Sequence, residues 1–301
     1  MSTSNQDKKQ LTSQLLKSKN KFPKTLEDTN MWEYHFWNTQ PMVKLNEYIS
    51  SPSQITTLNK IENEYDSPAP YKNPNTNKWE LNGQEYDEYF EIFYKFETPL
   101  IKGYAEQLGV DSWERPRIDF KESERPIKSK YVCFSMHSTA QCKHWNYPDG
   151  WDKLCRMLRK SGYTPVCIDR FETFGSEGNW NPSPKSCVKK HGMDLSEMIR
   201  YISHCEFFIG LSSGLSWVAH AVGKPVVMIS GVTSDDNEFS DDTIRIINKS
   251  VCHGCINKPE YKFDGGDWFW CPAHKGTSRH FECTTSITPE NVFGALEKLI
   301  K

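Results

Sequence analysis

Two hydrophobic periods alternate along the second half of this chain. YVCFSM (131–136), TPVCID (164–169), EFFIG (206–210) and KPVVMIS (224–230) are short apolar or aromatic runs bounded by Gly, Pro or charge. Runs of that length predict buried strands. Between them the period lengthens. WDKLCRMLRKSG places Trp151, Leu154 and Leu158 at helical spacing and stops at Gly162. DLSEMIRYISHC opens with Asp194 followed three residues later by Glu197, a capping-box-like start. GLSWVAHAVG follows the third strand, and TPENVFGALEKLI begins with Thr288 as N-cap and Pro289 at the first helical position. Alternating strands and helices predict right-handed parallel crossovers in a three-layer α/β domain.

The first half reads differently. Residues 1–24 are rich in Lys, Ser and Gln and predict a mobile or loosely docked start. DSPAPYKNPNTNKWELNG carries three prolines and predicts a loop followed by a hairpin. DEYFEIFYKFETPLIKGYAEQLGV has helical spacing and ends at Gly109. Residues 111–130 contain two X-Pro steps, which disfavour helix, so they predict an extended linker. The expected division is an N-terminal domain over 1–125 and a Rossmann-like domain over 126–301, with no internal repeat.

Composition narrows the class. At 301 residues, 37% hydrophobic and 25% charged, the chain is long enough for about two folded domains. Its formal net charge of −2 excludes a generally basic nucleic-acid coat. No run of about 18 apolar residues predicts a membrane span, and the polar N-terminus lacks the apolar core of a secretory signal. The expected location is the cytoplasm. Ten cysteines there imply free thiols or a metal site rather than disulfides.

Chemistry concentrates in three places at one predicted sheet edge. In FFIGLSSGLSWVAHAVG a strand ends at Gly210 and a helix begins near Gly214. The first N–H groups of such a helix have no intrahelical acceptor and suit phosphate oxygens, with Ser212 and Ser213 alongside. The plain alternative is a turn whose glycine only allows close packing. The loop after the first strand, HSTAQCKHWNYPDGW, supplies Lys143 to pair with a diphosphate, and His137, Ser138, Thr139 and Gln141 as nearby donors. Lys143 could equally be a solvated lysine. Asp169 ends the second strand, where nucleotide-binding α/β folds often place a ribose-binding acid; its plain reading is a cap. A nucleoside diphosphate compound is what the three features share.

Four cysteines crowd the run 252–283. Cys252 and Cys255 form a Cys-x-x-Cys knuckle eased by Gly254, and Cys271 and Cys283 complete a sulfur set suited to a structural metal, zinc or iron. His253, His274 and His280 compete as ligands. The segment is full of Gly, Pro and charge and is expected not to build a core of its own.

These motifs carry a family resemblance. YVCFSMHSTAQCKHWN, GYTPVCIDRFETFG, HCEFFIGLSSGLSWVAHAVGKPVVMISG and the run ending HKGTSRHFEC make residues 130–301 similar to the C-terminal half of the bacterial autotransporter heptosyltransferases, relatives of glycosyltransferase family nine. The resemblance implies a GT-B glycosyltransferase using ADP-heptose, with Lys143 on the donor phosphates and Ser213, Gly214 and Leu215 along the diphosphate. It also implies iron held by Cys252, Cys255, Cys271 and Cys283, and no divalent ion at the donor. Family members carry a longer N-terminal region whose Gly-Asp loop supplies a catalytic aspartate. Residues 1–125 show no such loop, so that domain is expected to be reduced, with Asp66, Asp111, Glu114 and Asp119 as candidate bases.

The expected acceptor is a hydroxyl on protein, and a homo-oligomer is allowed. Three rivals remain at this point: transfer to a hydroxylated DNA base, through the N-terminal lysines and aromatics; a non-catalytic sugar-nucleotide or metal-binding module; and a redox protein using the four-sulfur metal.

Overall fold

In the computed structural model the described residues are 71–72, 74–81, 84–86, 95, 98–109, 115–121 and 123–300. The expectations for residues 1–24, and Asp66, Asp111 and Glu114, lie outside them. Three short antiparallel strands come first: β1 (Tyr71–Lys72), β2 (Trp79–Leu81) and β3 (Gln84–Tyr86). Helix α1 (Leu100–Leu108) ends at Gly109 in the left-handed conformation, as the sequence predicts, but it starts only after Pro99, and Lys95 and Thr98 of the expected helical run are not helical. Residues 115–121 and 123–130 form neither helix nor strand.

The core is a six-stranded parallel sheet in the order β11-β10-β9-β4-β5-β8. Four of its strands are the predicted ones, β4 (Tyr131–Phe134), β5 (Thr164–Cys167), β9 (Phe208–Leu211) and β10 (Val226–Ile229). Edge strands β8 (Val188–Lys189) and β11 (Thr243–Ile246) were not foreseen. Each is short or only half-buried, so neither carries a fully apolar run. A further hairpin, β6 (Thr173–Ser176) with β7 (Asn179–Pro182), leaves the sheet after β5.

Strand alternation builds two cores. Val132 and Phe134 of β4 join Leu154, Leu158, Ile209 and Val292 on one face; Tyr131 and Cys133 join Val166, Ile202, Phe208 and Ala219 on the other. Successive strand side chains point to opposite faces, so both faces must be covered. Helices α2 (Gly150–Lys160) and α6 (Pro289–Ala295) cover the first face, α3 (Leu195–His204) and α4 (Gly214–Ala221) the second. The caps match expectation. Asp194 accepts from the Glu197 N–H at 2.8 Å, and Thr288 and Asn291 cap each other reciprocally at 3.0 and 3.1 Å.

The residues preceding the sheet dock on α4 and on the loop after β10. Leu100 donates to the Asn237 carbonyl, Ile118 to that of Ala221, and Arg115 to that of His220. No helix among the described residues is long and apolar enough to cross a membrane.

Candidate functional site

Because β4 and β9 are neighbours, the turns that follow them meet at the C-terminal edge of the sheet. The Ser135 N–H bonding the Ile209 carbonyl at 3.1 Å fixes their relation. Ser213 is the N-cap of α4, in extended conformation and without a side-chain bond into the helix. Gly214 is exposed, and the N–H groups of Gly214 and Leu215 meet no backbone acceptor outside the helix among the described residues. Leu215 packs its side chain into the α3–α4 core. The predicted amide cluster is therefore open.

Lys143 ends a short 3-10 turn, Gln141–Lys143. It is half-buried and forms no ion pair with a carboxylate among the described residues. Thr139 is half-buried beside it.

Other predicted site residues turn inward. Asp169 is 2% exposed, with Oδ1 accepting from Ser135 Oγ at 2.6 Å and from His137 N at 3.3 Å, and Oδ2 from Met136 N at 2.9 Å. It holds the donor loop; a ribose would find both oxygens engaged. Ser212 is buried and gives its hydroxyl to Glu238. The Gln141 side chain bridges Asn146 and Asn181, at 2.5 and 3.0 Å. Ser138 meets the buried His144 ring through its own backbone. The Asp169 carboxylate, the Ser212 hydroxyl and the Gln141 amide are thus engaged within the protein.

Sequence reasoning missed Glu238 and Arg245. Buried Glu238 and half-buried Arg245 form an ion pair, 2.7 Å apart but off the hydrogen-bond axis, behind Ser212. Asn237 also donates to Glu238, at 2.8 Å. Glu238 lies 26 positions beyond Ser212 in an irregular stretch, and Arg245 lies in the edge strand β11, neither within a motif. Desolvation lowers His144 to a pKa of about 4, keeping the ring neutral under the loop.

Residues 252–283 fold against this same loop. Trp268, Trp270, Ile256 and Phe281 are buried with Ala140, Cys142, Val232, Cys255 and Cys271. This corrects the expectation that the run builds no core: its aromatics supply one. Gln141 donates to the Trp268 carbonyl at 3.1 Å, and Asn146 to Thr284 Oγ1 at 3.0 Å. Gly231 permits the contact with β10, because a Cβ there would lie 2.9 Å from Cys283 Sγ. Gly254 takes the left-handed knuckle at φ +67° and bonds the Gly231 carbonyl.

The thiols of Cys252, Cys255, Cys271 and Cys283 lie within electrostatic reach of one another. Burial and the other sulfurs push Cys255 up to about 11 and Cys283 further. Thiols are soft donors of the kind zinc and iron take, and this run supplies four of them. Among the described residues the group of donor atoms that lie within 4.8 Å of one another is Cys252, His274 and Glu282; the four expected sulfurs do not form such a group. His274 thus enters as a neighbour of the sulfur set, whereas His253 and His280 face backbone carbonyls.

An open parallel sheet with helices on both faces defines the doubly wound class of α/β proteins, whose ligands bind at the C-terminal edge of the strands. Glycosyltransferase family 9 (heptosyltransferase) matches residues 83–240, more than half of the chain, and the chain belongs to that family. The autotransporter heptosyltransferase Aah of Escherichia coli is 44% identical over 193 residues, 64% of this chain and 49% of that protein. The inactive autotransporter heptosyltransferase BimC of Burkholderia thailandensis is 36% identical over 200 residues, 62% of this chain and 44% of that protein. Among solved structures, the dodecameric iron-containing heptosyltransferase TibC of E. coli, in complex with ADP-D-β-D-heptose, superposes with a TM-score of 0.63. It is 40% identical, over 66% of this chain and 52% of that one. The chain spans about half the length of the curated relatives it matches.

Proposed function

We propose that this chain binds a nucleoside diphosphate sugar, ADP-heptose by kinship with the TibC complex, and transfers the sugar to a hydroxyl on a protein. The observation that carries the reading is the open amide cluster at Gly214 and Leu215, on the strand next to the one whose loop presents Lys143. An acceptor oxygen attacks the anomeric carbon while the diphosphate departs. Negative charge grows on its oxygens, where the helix N-terminus and a cation stabilise it most. The Ser213 and Thr139 hydroxyls would orient it. The acceptor's proton goes to a carboxylate; Asp119 is exposed and is the described candidate. The relatives' names favour protein over DNA as acceptor.

Cys252, Cys255, Cys271 and Cys283 would hold iron, with zinc as the alternative, and the metal would act as a structural cross-link. Its value to the site is mechanical. Cys142 and Ala140, which flank Gln141 beside Lys143, pack into the same apolar cluster as Cys255 and Cys271.

Replacing Lys143 with Ala tests the reading. Transfer from ADP-heptose to an autotransporter passenger fragment should fall roughly 10²–10³-fold, the usual cost of one charge-stabilising group. The melting temperature should hold, because the side chain forms no ion pair. Full activity in the variant would exclude the assigned role. A second reading follows from BimC, a relative named as inactive: a module that binds the donor without transferring it. Donor binding by calorimetry with no transfer to any acceptor would select that reading.

A further inference from the structure

The donor edge holds a charge of the wrong sign. Glu238 follows β10, and its side chain is 3% exposed. Its Oε1 accepts from the Ser212 hydroxyl and from Asn237 Nδ2, the latter at 2.8 Å. Ser212 directly precedes Ser213, the N-cap of α4. Two residues of chain, at most about 7 Å, separate it from Gly214. A bare carboxylate at that range repels an anion bound at the helix N-terminus.

Glu238 nevertheless braces the turn. From within, the Ser213 N–H and the Ser216 hydroxyl both bond the Leu211 carbonyl, at 2.8 and 2.6 Å. From the side, Glu238 takes the Ser212 hydroxyl. Asn237 anchors that brace to two other segments. Its carbonyl accepts from Leu100 of α1 at 2.9 Å, and its Oδ1 from Asn257 of the cysteine-bearing run at 2.6 Å. Arg245 reaches the carboxylate from β11, across β10, which lies between β11 and β9. In the register Arg245 stands beside Met228, and its Nη1 donates to Ser230 Oγ at 3.4 Å, two residues further along. The Arg245 side chain is 11% exposed, and Nη2 lies 2.7 Å from Glu238 Oε2. Neither of those two atoms has a hydrogen-bond partner among the described residues. The contact is Coulombic rather than directed, so the charge of Arg245 is what the carboxylate uses.

We propose, on the reading of this edge as a diphosphate site, that Arg245 is a further positioning residue for the donor. By cancelling the Glu238 charge it lets that carboxylate brace Ser212 without repelling the diphosphate. Arg245 need not touch the donor; it acts through Glu238. A buried carboxylate stripped of its cation keeps its full charge in a poorly screened place, and the nearest ligand for that charge to act on is the diphosphate. The two members of the pair therefore bear on the donor with opposite signs.

Calorimetric titration of the full chain with ADP, beside a melting curve for each variant, is the test. Arg245→Met should weaken ADP by roughly tenfold, the order expected of one added unit charge about 7 Å away in a partly screened site. Glu238→Gln keeps an oxygen for Ser212 and Asn237 and leaves the Arg245 charge uncancelled, so ADP should bind at least as tightly as to wild type. The double variant should return close to the wild-type affinity. Arg245→Lys should stay near it too, because charge without direction suffices. A pair that is only structural predicts otherwise: both single variants weaken ADP alike, and the double variant does not recover. If Arg245→Met fails to fold, the sign in Glu238→Gln and the double variant still decide. Wild-type affinity in folded Arg245→Met, or weakened affinity in folded Glu238→Gln, would overturn the proposal. Folded wild type that binds no ADP at all would overturn the diphosphate reading itself.

Discussion

The parallel sheet and the cysteine-bearing run meet at one edge yet are held together in different ways. In the sheet, order comes from repetition: β4, β9 and β10 are buried along their whole length, and each face is closed by amphipathic helices. Residues 252–283 contain one 3-10 turn, Cys255–Asn257, and the first residues of the four-residue helix α5 (Glu282–Thr285). Their backbone runs through turns that bond locally, Trp270 to Asp267 and Lys275 to Cys271 for example. A few aromatics and the four thiols draw those turns inward. The sheet can spare a contact because many others share its load. The run depends on a handful, and those few also brace the loop of Lys143.

The largest break in that comparison is expected from metal removal. Chelation, or Cys283→Ser, should lower the melting temperature by roughly 10 °C, since loss of several kcal/mol moves a domain of this size about 2–4 °C per kcal/mol. Tryptophan emission should shift to the red as Trp268 and Trp270, now 1% and 5% exposed, meet water. The far-UV signal of the sheet should persist. An unmoved emission spectrum on complete metal removal would show that the aromatics alone hold the run.

How far the chain disclosed this arrangement follows from the same contrast. The central strands and four helices were legible because burial on two faces writes itself as apolar runs and 3.6-residue spacing. The edges β8 and β11 were not, since half-buried strands share their composition with loops. The cysteine spacing was visible, but Trp268 and Trp270 looked like residues of a charged loop until Ala140 and Val232 were seen beside them. At the site, Lys143 follows β4 and the Ser213–Leu215 turn follows its neighbour β9. The acid Asp169 was legible at the strand end, but the three donors folded onto it from Ser135, Met136 and His137 were not.

Asp169 sharpens the comparison, for it belongs to the sheet but serves the irregular loop. In Asp169→Asn one acceptor oxygen becomes a donor and faces the Ser135–His137 donors, leaving buried groups unpaired at about 1–3 kcal/mol. The melting point should fall by only a few degrees. Donor affinity should weaken by roughly tenfold as the loop carrying Lys143 loosens, an effect of about 1.4 kcal/mol. Calorimetric titration with ADP reads it directly. Unchanged ADP affinity would mean that the 3-10 turn is held from the cysteine side alone.

The smallest effect expected separates the two regions by pH. His144, under the donor loop, and His220, in α4, are both driven by desolvation to about pKa 4. Unfolded, each would bind a proton near 6.5. Between those values the unfolded chain holds more protons, so stability is full above about pH 6.5 and declines as pH falls toward 4. Each histidine contributes on the order of 1 kcal/mol per pH unit once below its unfolded value. His220 stacks on Phe239 with ring centroids 3.9 Å apart, and neither of its ring nitrogens has a hydrogen-bond partner among the described residues. His220→Phe therefore keeps the stack and removes one titrating group. Between pH 6.5 and 5 most carboxylates stay ionised, and acid release of metal would act equally on both proteins. The difference between wild type and variant in denaturant midpoint against pH should therefore isolate one proton. A wild-type profile as flat as the variant's would place His220 in contact with solvent, contrary to its burial. A variant that loses the acid slope entirely would mean that His144 does not titrate with folding, and that its loop opens before the sheet does.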